Sequence, residues 1–143
     1  MAKKVERESL FRNVPRGHFD PDANEPTPAA LWPTKEDNGF LSSDRSSVWT
    51  AEDSHRHRTE ILRRGSRGVI SMDADELAKS WGISTVEDPL EAGVDGAIAD
   101  NPAHALSDFT EHVVKDRTAR KAMREQLLDH ALTRGWDLGP FSS

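Results

Sequence analysis

The chain has 143 residues, a net charge of −6, 31% charged residues and no cysteine or tyrosine. Its apolar share is 35%, about 41% once the nine glycines are added, below the ~45–50% of an average domain, so one domain with a modest core is expected. The missing cysteines exclude disulfides, thiolate nucleophiles, iron–sulfur clusters and zinc ribbons, and a pI near 5.5 disfavours a nucleic-acid binder.

In chain order, residues 1–9 are charged and expected to be disordered. Residues 10–14 (Leu-Phe-Arg-Asn-Val) have strand content and stop at Pro15. Residues 15–39 hold five prolines among acidic and small residues, which predicts a long extended arm, pinned to the body through Phe19, Ala29, Ala30, Leu31 and Trp32. A short strand follows over 39–43. Thr50 with Asp53 reads as a capping pair that starts a helix running to about Arg64, before Gly65. Residues 68–72 form a compact apolar run, a buried strand. Asp73 and Glu76 cap the next helix, which Gly82 ends. Residues 83–86 give another strand. Residues 87–101 carry five carboxylates and no Lys or Arg, an acidic loop. Residues 102–109 are the last strand. The longest helix spans 115–134, with Ala119, Ala122, Met123, Leu127 and Ala131 as its apolar stripe and a basic opposite face. Residues 138–143 read as a tail.

The order predicts an α+β fold: a small mixed or antiparallel sheet with about three helices packed on it, in a single domain over 10–137. The expected core is Phe11, Val14, Leu41, Val69, Ile70, Leu77, Trp81, Ile83, Val86, Leu106, Phe109, Met123, Leu127 and Leu132.

Several short motifs occur in a fixed order. They are Phe11-Arg12, Pro33-Thr34-Lys35-Glu36-Asp37, Leu41-Ser42, Ala51-Glu52, Gly68-Val69, Asp88-Pro89, Pro102-Ala103-His104-Ala105, Asp108-Phe109 and Arg134-Gly135-Trp136. Together they resemble a family of small bacterial proteins with the pattern P-T-P-K-D, L-S, A-E, G-V, D-P, P-x-H-A-x-I-D-F and R-G-W, over roughly residues 10–136. The chain departs from it at Leu106-Ser107, where the family has an apolar residue directly before Asp-Phe, and in a longer acidic insert before Asn101. The resemblance implies no activity.

No phosphate-binding glycine loop, dinucleotide fingerprint, zinc-protease helix or nucleophile elbow is present. The first candidate constellation is His104 with Asp108. The two share a strand face but lie ~13 Å apart along it, so each needs partners from elsewhere: Arg12, Lys35, Asp37 or Ser42. Such a cluster suits acid–base chemistry on a phosphate-bearing substrate. The plainer reading is that both residues tie loops to the sheet. His55 and His57 point to different helix faces and make a poor metal pair. Asp20, Asp22 and Asn24 imitate the start of a calcium loop but lack its glycine and its closing glutamate. Arg12, Ser42, Ser43, Ser46, Ser47 and Glu60 follow the rough order of ADP-ribosyl-transferase-like folds. Their short separations and the missing tyrosine make coincidence the expected reading. Arg117, Arg120, Lys121 and Arg124 form the basic face of the last helix.

The leading expectation is a small cytoplasmic protein-binding module, in concrete form an accessory or immunity protein of a bacterial toxin or defence system. It needs no cofactor or metal, and its contacts are sought at Trp32, Trp49 and the basic helix face. The alternative is a small enzyme acting on a phosphate- or nucleotide-bearing substrate with His104, Asp108, Arg12, Lys35 and Ser42. A nucleic-acid contact through the last helix comes third. No apolar run approaches the ~18–20 residues of a membrane span, and no apolar stretch follows the basic start, so neither a membrane contact nor a secretory signal is expected.

Overall fold

The computed structural model describes residues 2–142. Among the described residues seven strands form two sheets. β1 (Ser9–Asn13), β4 (Phe40–Arg45), β5 (Val69–Asp73), β6 (Thr85–Glu87) and β7 (His104–Asp108) make a five-stranded sheet in the order β5-β1-β4-β7-β6, antiparallel throughout. β2 (Phe19–Asp20) and β3 (Glu25–Pro26) form a two-stranded hairpin inside the proline-rich arm. The helices are α1 (Ala51–Arg56), α2 (Ala74–Trp81), α3 (Thr110–Val113) and α4 (Arg117–Arg134). The α+β class and the antiparallel sheet follow the expectation. No helix among the described residues is long and apolar enough to cross a membrane.

Strand alternation sorts the side chains onto two faces. Leu10 faces Met72 across the β1–β5 ladder, and both bury completely in the main core with Leu41, Ile83 and Phe109. α4 covers this core. Asp116 caps its first turn by accepting from the Ala119 N–H at 2.8 Å, and Met123, Leu127 and Ala131 at four-residue spacing form its buried stripe. The arm closes the same face. Phe19, Ala30 and Leu31 are buried, and Trp32 packs edge-on against Phe109 at 5.5 Å between ring centres. Ala29 is exposed. On the opposite face Phe11, Val69 and Ala51 form a smaller cluster under α1. Of the expected core, Trp81, Val86, Leu106 and Leu132 are only half-buried: Val86 and Leu106 pair with each other on the sheet face away from the buried Thr85, Ala105 and Ser107, Trp81 is the last residue of α2, and Leu132 flanks the buried stripe of α4.

The two chain ends differ from expectation. Residues 3–8 are ordered against the sheet edge. The Val5 N–H donates to the Thr85 carbonyl at 2.8 Å, Glu87 donates back to Lys3, and the Val5 side chain is 3% exposed. Glu8 binds Arg45 at 3.0 Å. The tail returns along β5 at the other edge, where Val69 donates to the Leu138 carbonyl at 2.9 Å. Both open edges are therefore covered by main chain from a terminus, which blocks edge-to-edge pairing.

Candidate functional site

β1 and β4 pair only at Leu10–Arg45 and Phe11–Asp44. Beyond that point β1 stays with β5 as far as Asn13–Val69, and β4 stays with β7 as far as Phe40–Asp108. The central strands thus splay, and a cleft of about 520 Å³ opens over the gap. That volume lies within the ~300–1,000 Å³ of small-molecule sites.

Arg12 fills the crotch of the splay. Its Nε and Nη2 donate to the Ala30 carbonyl at 3.2 and 3.0 Å, and its Nη1 donates to the Ser42 carbonyl at 2.8 Å. A guanidinium has five N–H donors, so two are left. Burial, and after it the neighbouring charge of Arg58, lowers the Arg12 pKa to about 10, while Asp37 and Asp44 pull it the other way. The side chain therefore stays cationic at neutral pH.

The next contributors come from an irregular helix end. After α1 the chain widens over His57–Ile61, where the Leu62 N–H reaches back five residues to the His57 carbonyl at 2.9 Å. Such π-turns re-aim side chains and recur at functional sites. Here the turn puts His57 and Arg58 on the cleft wall. Among the described residues Arg58 donates only its Nε, to the Gly65 carbonyl at 3.0 Å, and keeps four N–H groups. Its pKa is lowered by burial and then by Arg64. Arg12, Arg58 and Arg64 all line the cleft, and none is within salt-bridge distance of a carboxylate among the described residues. His18 lies beside them and is held below its usual pKa by burial, then by Arg12 and Arg58. Burial also lowers His57, against an opposing pull from Asp44. Two buried atoms of cleft residues, His18 Nδ1 and Ser43 Oγ, have no hydrogen-bond partner among the described residues.

The two cleft carboxylates are engaged locally. Asp44 accepts from the Ser54 hydroxyl at 2.5 Å and from Asn101 Nδ2 at 2.9 Å. Asp37 accepts from the Thr34 N–H at 2.8 Å and its hydroxyl at 2.9 Å. The far wall is built from Leu90, Ile98 and Ala99 of the acidic loop. His104 stands between the two ends. Its Nδ1 lies 3.0 Å from the Asp88 carbonyl and 3.1 Å from the Asp88 carboxylate. A carbonyl oxygen only accepts, so Nδ1 carries the proton and Nε2 of the neutral ring is an acceptor.

The structure brings together Arg12, Ser42 and His104 of the sequence candidates and leaves out two. Lys35 is exposed on a short turn, whose Thr34 and Asp37 line the cleft in its place. The Asp108 carboxylate caps α3, accepting from the Thr110 N–H at 2.9 Å and its hydroxyl at 2.6 Å. Asp108 is thus engaged locally with Thr110, and the carboxylate beside His104 is Asp88. Ser43 joins the cleft, whereas Ser46, Ser47 and Glu60 do not line it, and Glu60 pairs with Arg56 at 3.6 Å. The ADP-ribosyl-transferase order is thus not assembled as one site. Among the interaction candidates, Trp32 belongs to the core margin, with Arg124 over its ring at 5.2 Å. Trp49 is half-buried against His57, their ring centres 4.9 Å apart. Arg117 and Lys121 are exposed on α4, and Arg120 is half-buried.

Arg58, Arg64 and His18 join the cleft without belonging to any motif of the sequence, and Asp88, of the Asp88-Pro89 motif, stands against His104. The local signal for the two arginines is the density of Arg and His over 55–64, which also fits a solvated helix face. No protein-family model, curated protein or solved structure matches the chain.

Proposed function

We propose that this protein binds a phosphate-bearing small molecule in the cleft between β1 and β4. One observation carries the reading: Arg12 is a buried cation in the crotch of the sheet, with no carboxylate partner among the described residues and two N–H groups to spare. Burying an unpaired charge is costly, and an anion on those donors offsets the cost with charge-assisted hydrogen bonds. Arg58 supplies a second cation on the same wall. The His104–Asp88 pair adds a base able to take a proton from a ligand hydroxyl, which is how an enzyme would use the site.

Isothermal titration with inorganic pyrophosphate tests the reading. Binding in the millimolar range or tighter is expected, weakened about ten-fold or more in Arg12→Gln and in Arg58→Gln. Arg58 bonds only one backbone carbonyl, so its variant reports on the ligand even if loss of Arg12 unfolds the protein. No heat of binding in the folded wild type overturns it.

A second reading, the protein-binding module of an accessory or immunity type, is supported by one patch. Ile61, 56% exposed, shares a shallow surface hollow with Trp49, and Val48, the residue before Trp49 in the chain, is 41% exposed. Apolar side chains grouped around a Trp are the composition of a binding hot spot. A host protein that co-purifies with the wild type and is lost in Ile61→Asp supports this reading. Equal recovery with both proteins removes it.

A further inference from the structure

The cleft has an order along the sheet that a bare phosphate does not use. Arg12 lies on β1, Ser42 on β4 and His104 on β7, and the apolar wall of Leu90, Ile98 and Ala99 lies beyond. β4 and β7 stay paired about 4.8 Å apart, with Ser42 opposite Leu106 and Asp44 opposite His104, whereas β1 has left β4 at Arg12, so the path from Arg12 to His104 is longer than two strand spacings, more than about 10 Å. The chemistry changes along it. The β1 end offers guanidinium donors. Over the middle, the Ser42 hydroxyl is not used in a hydrogen bond among the described residues, and His104 Nε2 is an acceptor. At the far end Ile98 is 69% exposed although it lines the cleft, so its side chain is uncovered where a ligand would lie against it.

Resting on the reading above, we propose that the ligand is a nucleoside phosphate. Its phosphates meet Arg12 and Arg58. Its ribose hydroxyls donate to His104 Nε2 and pair with the Ser42 hydroxyl. Its base covers Ile98 against Leu90 and Ala99. A nucleotide is anionic at one end, hydroxylated in the middle and flat and apolar-faced at the other, in that order and over that span. The acidic loop is then the element that selects the base, and Ile98 is its selecting residue.

Titration of the full chain with inorganic pyrophosphate, ribose 5-phosphate, ADP, GDP, CDP and UDP tests the proposal. At least one nucleotide is expected to bind about ten-fold or more tightly than either pyrophosphate or ribose 5-phosphate, as covering one aliphatic side chain warrants. Ile98→Ser, which trims the aliphatic surface without adding a charge to the cleft, is expected to abolish that advantage, read as the ratio of nucleotide to pyrophosphate affinity within the same variant. Ile98 is exposed, so the variant keeps the fold. Four nucleotides no tighter than pyrophosphate overturn the proposal while leaving the phosphate site standing. The proposal also fails if that affinity ratio in Ile98→Ser equals the wild-type ratio. Absence of binding by every one of these compounds overturns the phosphate site itself.

Discussion

His104 shares its Nδ1 proton with Asp88, sixteen residues earlier, and not with Asp108 four residues along its own strand. The β6–β7 ladder sets this up. Glu87 pairs with Ala105, so the residue after Glu87 arrives beside His104. The expected outcome is a His104 ring with a proton on Nδ1, read by nitrogen NMR of the imidazole. Asp88→Ala keeps the backbone carbonyl but loses the carboxylate, and should reduce that tautomer's share. The Asp88 carboxylate is 43% exposed and screened by solvent, so it contributes no more than about 1 kcal/mol to stability and the variant should unfold close to wild type. A wild-type ring protonated at Nε2 removes the acceptor assigned to the cleft.

The N-terminal residues contribute to the fold rather than trailing from it. Removing residues 2–6 exposes the Thr85 carbonyl and takes away the buried Val5 side chain. A loss of about 2 kcal/mol, or roughly 5 °C in Tm, is expected by thermal unfolding. A truncated chain as stable as the full one would mean that these residues only rest on the sheet edge.

That segment also shows what a sequence reading captures here and what it misses. Strands and helices with an apolar pattern are legible: β1, β5, α2 and α4 lie within a residue or two of expectation. Val5 is not, because a lone apolar residue among charges carries no period, and its placement depends on backbone pairing with β6. The cleft is legible in part. Arg12 stands out as a charge inside a strand. Lys35 and Asp37 are indistinguishable until the turn at 35–37 decides which of them faces inward. Asp108 has a recognisable signature, since an Asp two residues before a Thr at a helix start is a capping pattern. Arg58 depends on the π-turn, which no local pattern announces.

Gly68 is the tightest backbone approach in the sheet. A Cβ there would stand 2.6 Å from the Leu138 carbonyl and 2.8 Å from the Trp136 ring, at a φ of +149°. The carbonyl is main chain and cannot swing away. Gly68→Ala should therefore cost about 2–4 kcal/mol and detach the tail from β5. Gly17→Ala is the control: nothing lies within 4 Å of its Cβ, and a change within about 0.5 kcal/mol is expected. Equal denaturant midpoints for the two variants would show that the tail yields freely.

His130 ties α4 to the sheet in a way that depends on its being neutral. The Asp73 N–H donates to its Nε2 at 3.0 Å, and its ring meets Trp81 edge-on at 5.7 Å. A protonated ring has no acceptor to offer that N–H. Burial first, then Arg134, lowers its pKa below the usual 6.5, with Asp73 and Glu76 opposing. Below pH 6.5 the unfolded chain therefore binds the proton more readily than the folded one. The stability from this site is complete above pH 6.5 and is lost as pH falls through the folded-state value. His18, His55 and His57 are shifted the same way, each mainly by burial, and add to the slope. Tm is expected to fall between pH 7 and 5, above the range where ordinary carboxylates titrate. His130→Gln keeps a neutral acceptor at every pH and should flatten part of that slope. An unchanged slope in the variant would place the pH dependence on the other histidines.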